Sequence, residues 1–345
     1  MNGLVPDELV VEVQSYRVRR AWQGLVEVID RDGRIRGGRC TPGGTVEMFD
    51  VGTDPDLPAL AGIDGVVVSH RPGRRAVVRT DDRRWVKVVR PKKERRILEG
   101  ITRAEAFAGS FRMPAVVSSG PGFVVFEHLA GRSLGEGAGW TPAEWDRAWS
   151  EVMTAWAAAG GGRSGTDAQE SVHDAAAEVA VLERWRGQVA DAALPDGYDV
   201  LMQDVEQELL TGTPAPLRVA HRDLHDKQLV WDRDRGPGLL DVDTATVAEA
   251  ALDLGNLRAH ARWRRVQGAW SEAQTDTVVR RIDEAAARVD CSPQRLDTYE
   301  RATLLRLVCV HLHRPADRHL VGALVAQVAA TTTSAAAASY PVDRR

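Results

Sequence analysis

The chain has 345 residues, of which 43% are hydrophobic and 27% charged, with a formal net charge of −4 and a pI near 6.2. Such a chain can bury a sizeable core, as one large two-lobed unit or two ordinary domains, and is not globally disordered. Its charge balance offers no basic excess for nucleic acid or for an anionic membrane. Three scattered cysteines, Cys40, Cys291 and Cys309, form no CxxC pair. They argue against a disulfide framework and for a reducing, cytoplasmic setting. The first residues carry acids early and lack a basic segment followed by an apolar run, so no signal peptide is expected. No window of about 18 uncharged apolar residues occurs, so no membrane span is expected.

The first third reads mainly as β. "LVVEVQSYRVRRAW" and "LVEVIDRDGRIRGGRC" alternate apolar and charged residues around Gly-containing turns. "GVVVSHRPGRRAVVRT" predicts two strands around Pro72-Gly73, since Pro presets φ and Gly tolerates φ > 0. "RRWVKVVRP" is a further strand, closed by Pro91. "KKERRILEGITRAEAFAGS" predicts a helix with Ile97, Ile101 and Ala104 on one side. "AVVSSGPGFVVFEHL" predicts a hairpin, and "AGRSLGEGAGW" a Gly-rich crossing loop. Thr141-Pro142-Ala143-Glu144 is a helix start: a Thr cap, Pro in first position and Glu in the capping-box place. Helices are predicted over 142–159, 168–190 and 197–211, with "GGGRSG" a flexible loop. After a short β stretch, helices follow at 252–267, 273–288, 293–310 and 316–330, and the end, "TTTSAAAASYPVDRR", is expected to fray.

Chemistry concentrates in "HRDLHDKQLVWD" and "GLLDVDTAT". The apolar runs 229–231 and 238–240 predict a hairpin that draws Asp223, Gln228 and Asp241 together. A free acid beside an amide oxygen and a second acid suits phosphoryl transfer: the latter two hold Mg²⁺, and the first orients the attacking hydroxyl. "HRDLHDKQ" resembles the catalytic loop H-R-D-x-x-x-x-N of protein kinases, with Gln where Asn is usual. "LLDVDTATVAEAALDLGNL" is more similar to the corresponding segment of aminoglycoside phosphotransferases and choline kinases. The resemblance spans about residues 62–270.

That resemblance implies an α+β, bilobal, protein-kinase-like fold. The β-rich N-terminal nucleotide-binding lobe would cover 1–127, with 1–60 an extra β-rich extension, and the mainly helical C-terminal lobe 128–345. It implies Asp223 as catalytic base, Gln228 and Asp241 as Mg²⁺ ligands, and Asp253 as a buried acid bracing the catalytic loop. Asp243 is read as a strand-end cap at the metal's edge. Lys87, in mid-strand where a lysine needs a partner, would grip the phosphates of ATP or GTP, with Glu105 on the next helix as its acid and Glu99 the alternative. Ser69 and Arg71 lie in the turn expected to cover the phosphates. The backbone of Glu127 and Leu129 would meet the base, with Phe126 at the rear. The partners implied are a nucleotide and a small hydroxyl-bearing acceptor: an amino sugar, an aminoglycoside or a sugar. Asp226 and Glu249 would line the cleft for a cationic one. Protein-kinase activity is disfavoured because Asp241-Val242-Asp243 replaces D-F-G and no A-P-E segment follows. Ala248-Glu249-Ala250 replaces the family's Gly-Asp-Pro, which together with Gln228 keeps open a second reading, a catalytically weak nucleotide-binding regulator.

Overall fold

Short alternating runs build two antiparallel sheets in the first 126 residues of the computed structural model, which describes residues 16–41, 46–159, 172–190 and 193–338. The predicted strand segment before Tyr16, the "GGGRSG" loop and the last seven residues lie outside these. Strands β1 (Arg17–Trp22), β2 (Leu25–Ile29), β3 (Ile35–Cys40) and β4 (Val46–Met48) form one sheet in that order. β5 (Val66–Arg71), β6 (Arg75–Arg79), β7 (Trp85–Val89), β8 (Val116–Gly120) and β9 (Phe123–Phe126) form a five-stranded sheet, ordered β5-β6-β7-β9-β8. Helix α1 (Glu94–Arg103) crosses between β7 and β8, burying Ile97 and Gly100.

The remainder is mainly helical. A short strand β10 (Arg132–Ser133) leads to α2 (Pro142–Ala158). Thr141 and Glu144 form the expected capping box, each side chain bonding the other's backbone N–H. Then come β11 (Val172–His173), α3 (Ala175–Arg186), α4 (Tyr198–Thr211) and β12 (Leu217–Ala220). The hairpin β13 (Leu229–Asp232) and β14 (Gly236–Leu239) pairs Leu229 with Leu239 and joins β10. Its turn is tied by Asp232, which accepts from Asp234 and Arg235 N–H. β15 (Thr246–Glu249) lies between β11 and β12. Helices α5 (Ala250–Val266), α6 (Glu272–Arg288), α7 (Pro293–Leu312) and α8 (Val321–Ala338) follow.

The main core is in this helical lobe, where Trp145, Trp149, Trp156, Trp263, Tyr198 and Tyr299 are fully buried. Trp263 and Trp270, beside a basic run, are core residues and not a base-stacking platform. Smaller clusters sit in the five-stranded sheet (Leu57, Leu60, Ala76, Val78, Val86, Val88) and in the N-terminal sheet (Ala21, Val26, Val28). The N-terminal sheet packs on β5 through β2 and β3 and also reaches the helical lobe. Ala21 N–H donates to His313 O at 3.0 Å, and His313 Nδ1 donates to Ala21 O at 3.1 Å. Trp22 stacks on the His313 ring. Among the described residues, no helix is long and apolar enough to cross a membrane.

Candidate active site

The β13–β14 hairpin brings two of the three expected residues together: Leu240 N–H donates to Gln228 O at 2.8 Å, which sets Gln228 beside Asp241. Gln228 Nε2 lies 3.4 Å from Asp241 Oδ2 and 3.3 Å from His225 Nε2. Asp223 sits in the same loop, half-buried and not hydrogen-bonded to that pair. Its N–H donates to His221 Nδ1, while His221 Nε2 donates to Leu240 O at 2.8 Å. These two bonds require the neutral imidazole with its proton on Nε2, so His221 acts as a brace. Asp253, fully buried, accepts from His221 N–H at 2.7 Å, Arg222 N–H at 2.8 Å and Trp156 Nε1. Those bonds hold Arg222 at φ 72°, a left-handed conformation costly for a non-glycine residue. Asp241 also has a left-handed backbone, at φ 56°.

Lys87 is buried in the centre of β7, opposite Val77 and Val124. Its Nζ lies 2.6 Å from Asp241 Oδ1 and 2.7 Å from Asp243 Oδ2. Burial pushes both carboxyls up. At Asp241 the Lys87 ammonium, with Arg75, outweighs this and holds it below the ordinary carboxylate range. At Asp243, burial and the adjacent Asp241 prevail and the carboxyl is raised.

Two sequence expectations need correcting here. Glu105 is not the partner of Lys87: helix α1 ends at Arg103, the chain tightens into a 3₁₀ turn over Ala104–Phe107, and Glu105 faces solvent. Glu99 is exposed and pairs with Arg95, and Glu94 accepts from Gly122 N–H. Asp243, expected to be only a cap, takes the partner's place.

These residues floor a cavity of about 350 Å³ whose lining includes Val77, Lys87, Ile101, Phe126, Leu129, Val230, Asp241 and Asp243. Glu127 and Leu129 border it, but Glu127 N–H already donates to Ala115 O at 2.9 Å. What they leave for a base is Glu127 C=O and Leu129 N–H, which have no backbone partner among the described residues.

The expected phosphate-covering turn also differs. Ser69 lies within β5, paired with Val77, and does not line this cavity. The turn is Arg71–Arg75, with Gly73 at φ 68°. Its amides are consumed, Gly73 N–H by Asp54 and Arg74 N–H by Arg71 O, and His70 N–H just before it is taken by Glu27. The turn therefore offers side chains and not a backbone cradle. Arg75, which sequence reasoning missed, reaches to 3.9 Å from Asp241 Oδ2, and its Nε is buried without a hydrogen-bond partner among the described residues. Arg71 points into a different cavity.

The acids expected to greet a cationic acceptor are used internally. Asp226 is fully buried and pairs with Arg264 at 2.8 Å. Glu249 is buried and accepts from Arg295, Tyr299 Oη and Ala215 N–H. Neither carboxylate is free for a ligand.

A β-sheet lobe over a helical lobe, with a mid-strand lysine facing two acids and a braced His-Arg-Asp loop below, defines the bilobal kinase-like phosphotransferase class. The model of the phosphotransferase enzyme family matches residues 60–305, and the chain belongs to that family. No curated protein matches it. Among solved structures it is similar to an aminoglycoside phosphotransferase, APH(3'')-Id from Streptomyces rimosus, at 19% identity and TM-score 0.51, covering 72% of this chain and 92% of the other. A choline/ethanolamine kinase family protein from Mesorhizobium loti is 17% identical, with TM-score 0.50 and coverages of 80% and 90%. A streptomycin–ATP ternary complex of APH(2'')-IIa is 12% identical, with TM-score 0.50 and coverages of 72% and 85%. At these identities the likeness concerns the fold.

Proposed function

We propose that the protein transfers the γ-phosphate of ATP or GTP to a hydroxyl of a small molecule, with Mg²⁺ as cofactor. The observation that carries this reading is the joint placement of Lys87, Asp241, Asp243 and Gln228 on the floor of an apolar cavity. Two carboxylates and an amide oxygen are hard oxygen donors of the kind Mg²⁺ takes. Gln228 would present its oxygen after a half-turn of its amide, whose two ends are assigned from the hydrogen-bond pattern. Asp241, Asp243 and Gln228 would hold such an ion, which would supply positive charge beside the phosphates.

The chain's own residues supply the rest. The ammonium of Lys87 grips the phosphates, and Arg75 adds positive charge at the same edge. Asp223 accepts the acceptor's hydroxyl proton and aims its oxygen, while Asp253 and His221 fix the loop that carries it. The cavity's apolar wall and the free Glu127 C=O and Leu129 N–H receive the base. An ATP complex of one structural relative and a GDP complex of another support either nucleotide. Their streptomycin and kanamycin support a polyhydroxylated acceptor, such as a sugar, amino sugar or aminoglycoside.

The test is nucleoside diphosphate release, with ATP and GTP arms, over a panel of sugars, amino sugars and aminoglycosides. Asp223→Asn is expected to lower kcat by about 10²–10⁴-fold with little change in nucleotide binding. Equal turnover by that variant would remove Asp223 from the chemistry.

A further inference from the structure

A second cavity, of about 70 Å³, opens where four parts of the chain meet: the β1–β2 end, the β5–β6 turn, Trp185 near the end of α3 and the end of α7. Its lining includes Arg20, Arg71, Arg74 and Arg314, with Glu27 as its only carboxylate. Glu27 is already taken by Arg19 at 3.1 Å, Arg20 at 3.3 Å and His70 N–H. Arg74 lies over the Trp22 ring. Arg71 and Arg314 have neither an ion pair nor a side-chain hydrogen bond among the described residues, although both are half-buried.

Guanidinium groups so placed repel one another. Burial, Arg75 and Arg20 pull Arg71 down to about 9, and the charge of Asp223 acts in the opposite direction. Burial and Arg20 pull Arg314 down to about 10, against the opposing charges of Asp317 and Glu27. Arg71 pairs across the β5–β6 hairpin with Arg75, which reaches to 3.9 Å from Asp241 Oδ2, so one turn carries both a wall of this cavity and a cation of the proposed active site. Half-buried cations without a direct ion pair are destabilising, and an anionic ligand relieves that cost through charge-assisted, often bidentate bonds. A polycationic ligand there would meet four guanidinium groups in the lining, whose one carboxylate, Glu27, is already paired.

We propose that the acceptor is an anion: a hydroxyl-bearing small molecule whose carboxylate or phosphate group is held by Arg71 and Arg314, presenting its hydroxyl to Asp223. The proposal rests on the phosphotransferase reading above and names its substrate class. The cavity's size suits one charged group, with the rest of the molecule extending toward the catalytic loop.

The test uses the full chain, free of nucleotide, at constant ionic strength. Binding of inorganic phosphate, D-glucuronate and D-glucose 6-phosphate is compared with that of D-glucose and kanamycin by calorimetry. The second and third compounds separate a carboxylate from a phosphate. Anions are expected to bind more tightly than the neutral and cationic compounds. Arg314→Gln should weaken phosphate binding by about tenfold or more while ATP binding stays unchanged. Arg314→Lys, which keeps the charge, should restore part of it and guards against misfolding as the cause. Phosphate binding indifferent to Arg314, an Arg314 effect falling on ATP, or tighter binding of kanamycin than of phosphate overturns the proposal. Arg314-dependent phosphate binding without phosphoryl transfer to any acceptor sustains the anion site and overturns the transferase reading instead.

Discussion

Lys87 carries two burdens in the nucleotide-free protein. It neutralises Asp241 and Asp243, whose side chains would otherwise face each other with only Arg75, 3.9 Å from Asp241, to offset them. Lys87→Met is therefore expected to destabilise the fold by roughly 2–3 kcal/mol at neutral pH. The sign of its pH dependence follows from the pair. With lysine present, Asp241 is held low and contributes stability above its ordinary value of 3.8, lost only as pH falls below that. Without lysine, burial and mutual repulsion raise the pair above the unfolded value. The penalty then shrinks on acidification and grows as pH rises through the raised pKa. Denaturant unfolding at pH 5 and 7.5 reads this directly. A penalty equal at both values would mean that Lys87 acts by packing alone.

At the scale of elements, α1 meets the Asp241–Thr244 segment through a glycine. A Cβ on Gly100 would come within 1.9 Å of Asp243 O, a backbone atom with no room to yield. Gly100→Ala should push the helix off this segment, costing about 1–3 kcal/mol and raising the KM for nucleotide. An unchanged melting temperature and KM would show that the helix is free to shift. The helix itself was legible in the sequence, as were the hairpins and most helix starts, because their signals are local: apolar period, a Thr cap, Pro at the first turn. The convergence of Gln228 on Asp241 was legible for the same reason, since one tight hairpin makes it. What stayed hidden was decided at long range. The acids of Lys87 come from 154 and 156 residues away, and no spacing rule along α1 finds them. The 3₁₀ turn that exposes Glu105, the two-residue strands β10 and β11, and the meeting of Arg71 with Arg314 all depend on partners distant in sequence.

Across the whole molecule, several joints are made by buried imidazoles. His313 bonds the N-terminal sheet to the helical lobe, His311 bonds Asp317 at 2.8 Å below the end of α7, and His260 stacks on His225 of the catalytic loop. Burial lowers all three: His311 to about 4 despite its bond to Asp317, His260 well below its ordinary value, and His313 in the same direction. In the unfolded chain each takes a proton near pH 6.5. Between about pH 6.5 and 4 the unfolded state therefore binds more protons, and stability falls as pH falls, with a slope of up to about 1.4 kcal/mol per pH unit for each histidine. Their contribution is complete above pH 6.5 and is withdrawn on acidification before the ordinary carboxylates titrate. Stability from denaturant unfolding should accordingly drop by a few kcal/mol between pH 7 and 5, and His311→Gln should flatten part of that drop. A stability unchanged over that interval, with loss beginning only below pH 4, would assign acid sensitivity to the carboxylates. The expected drop instead makes the joints between the sheet, the catalytic loop and the helices the first contacts to yield.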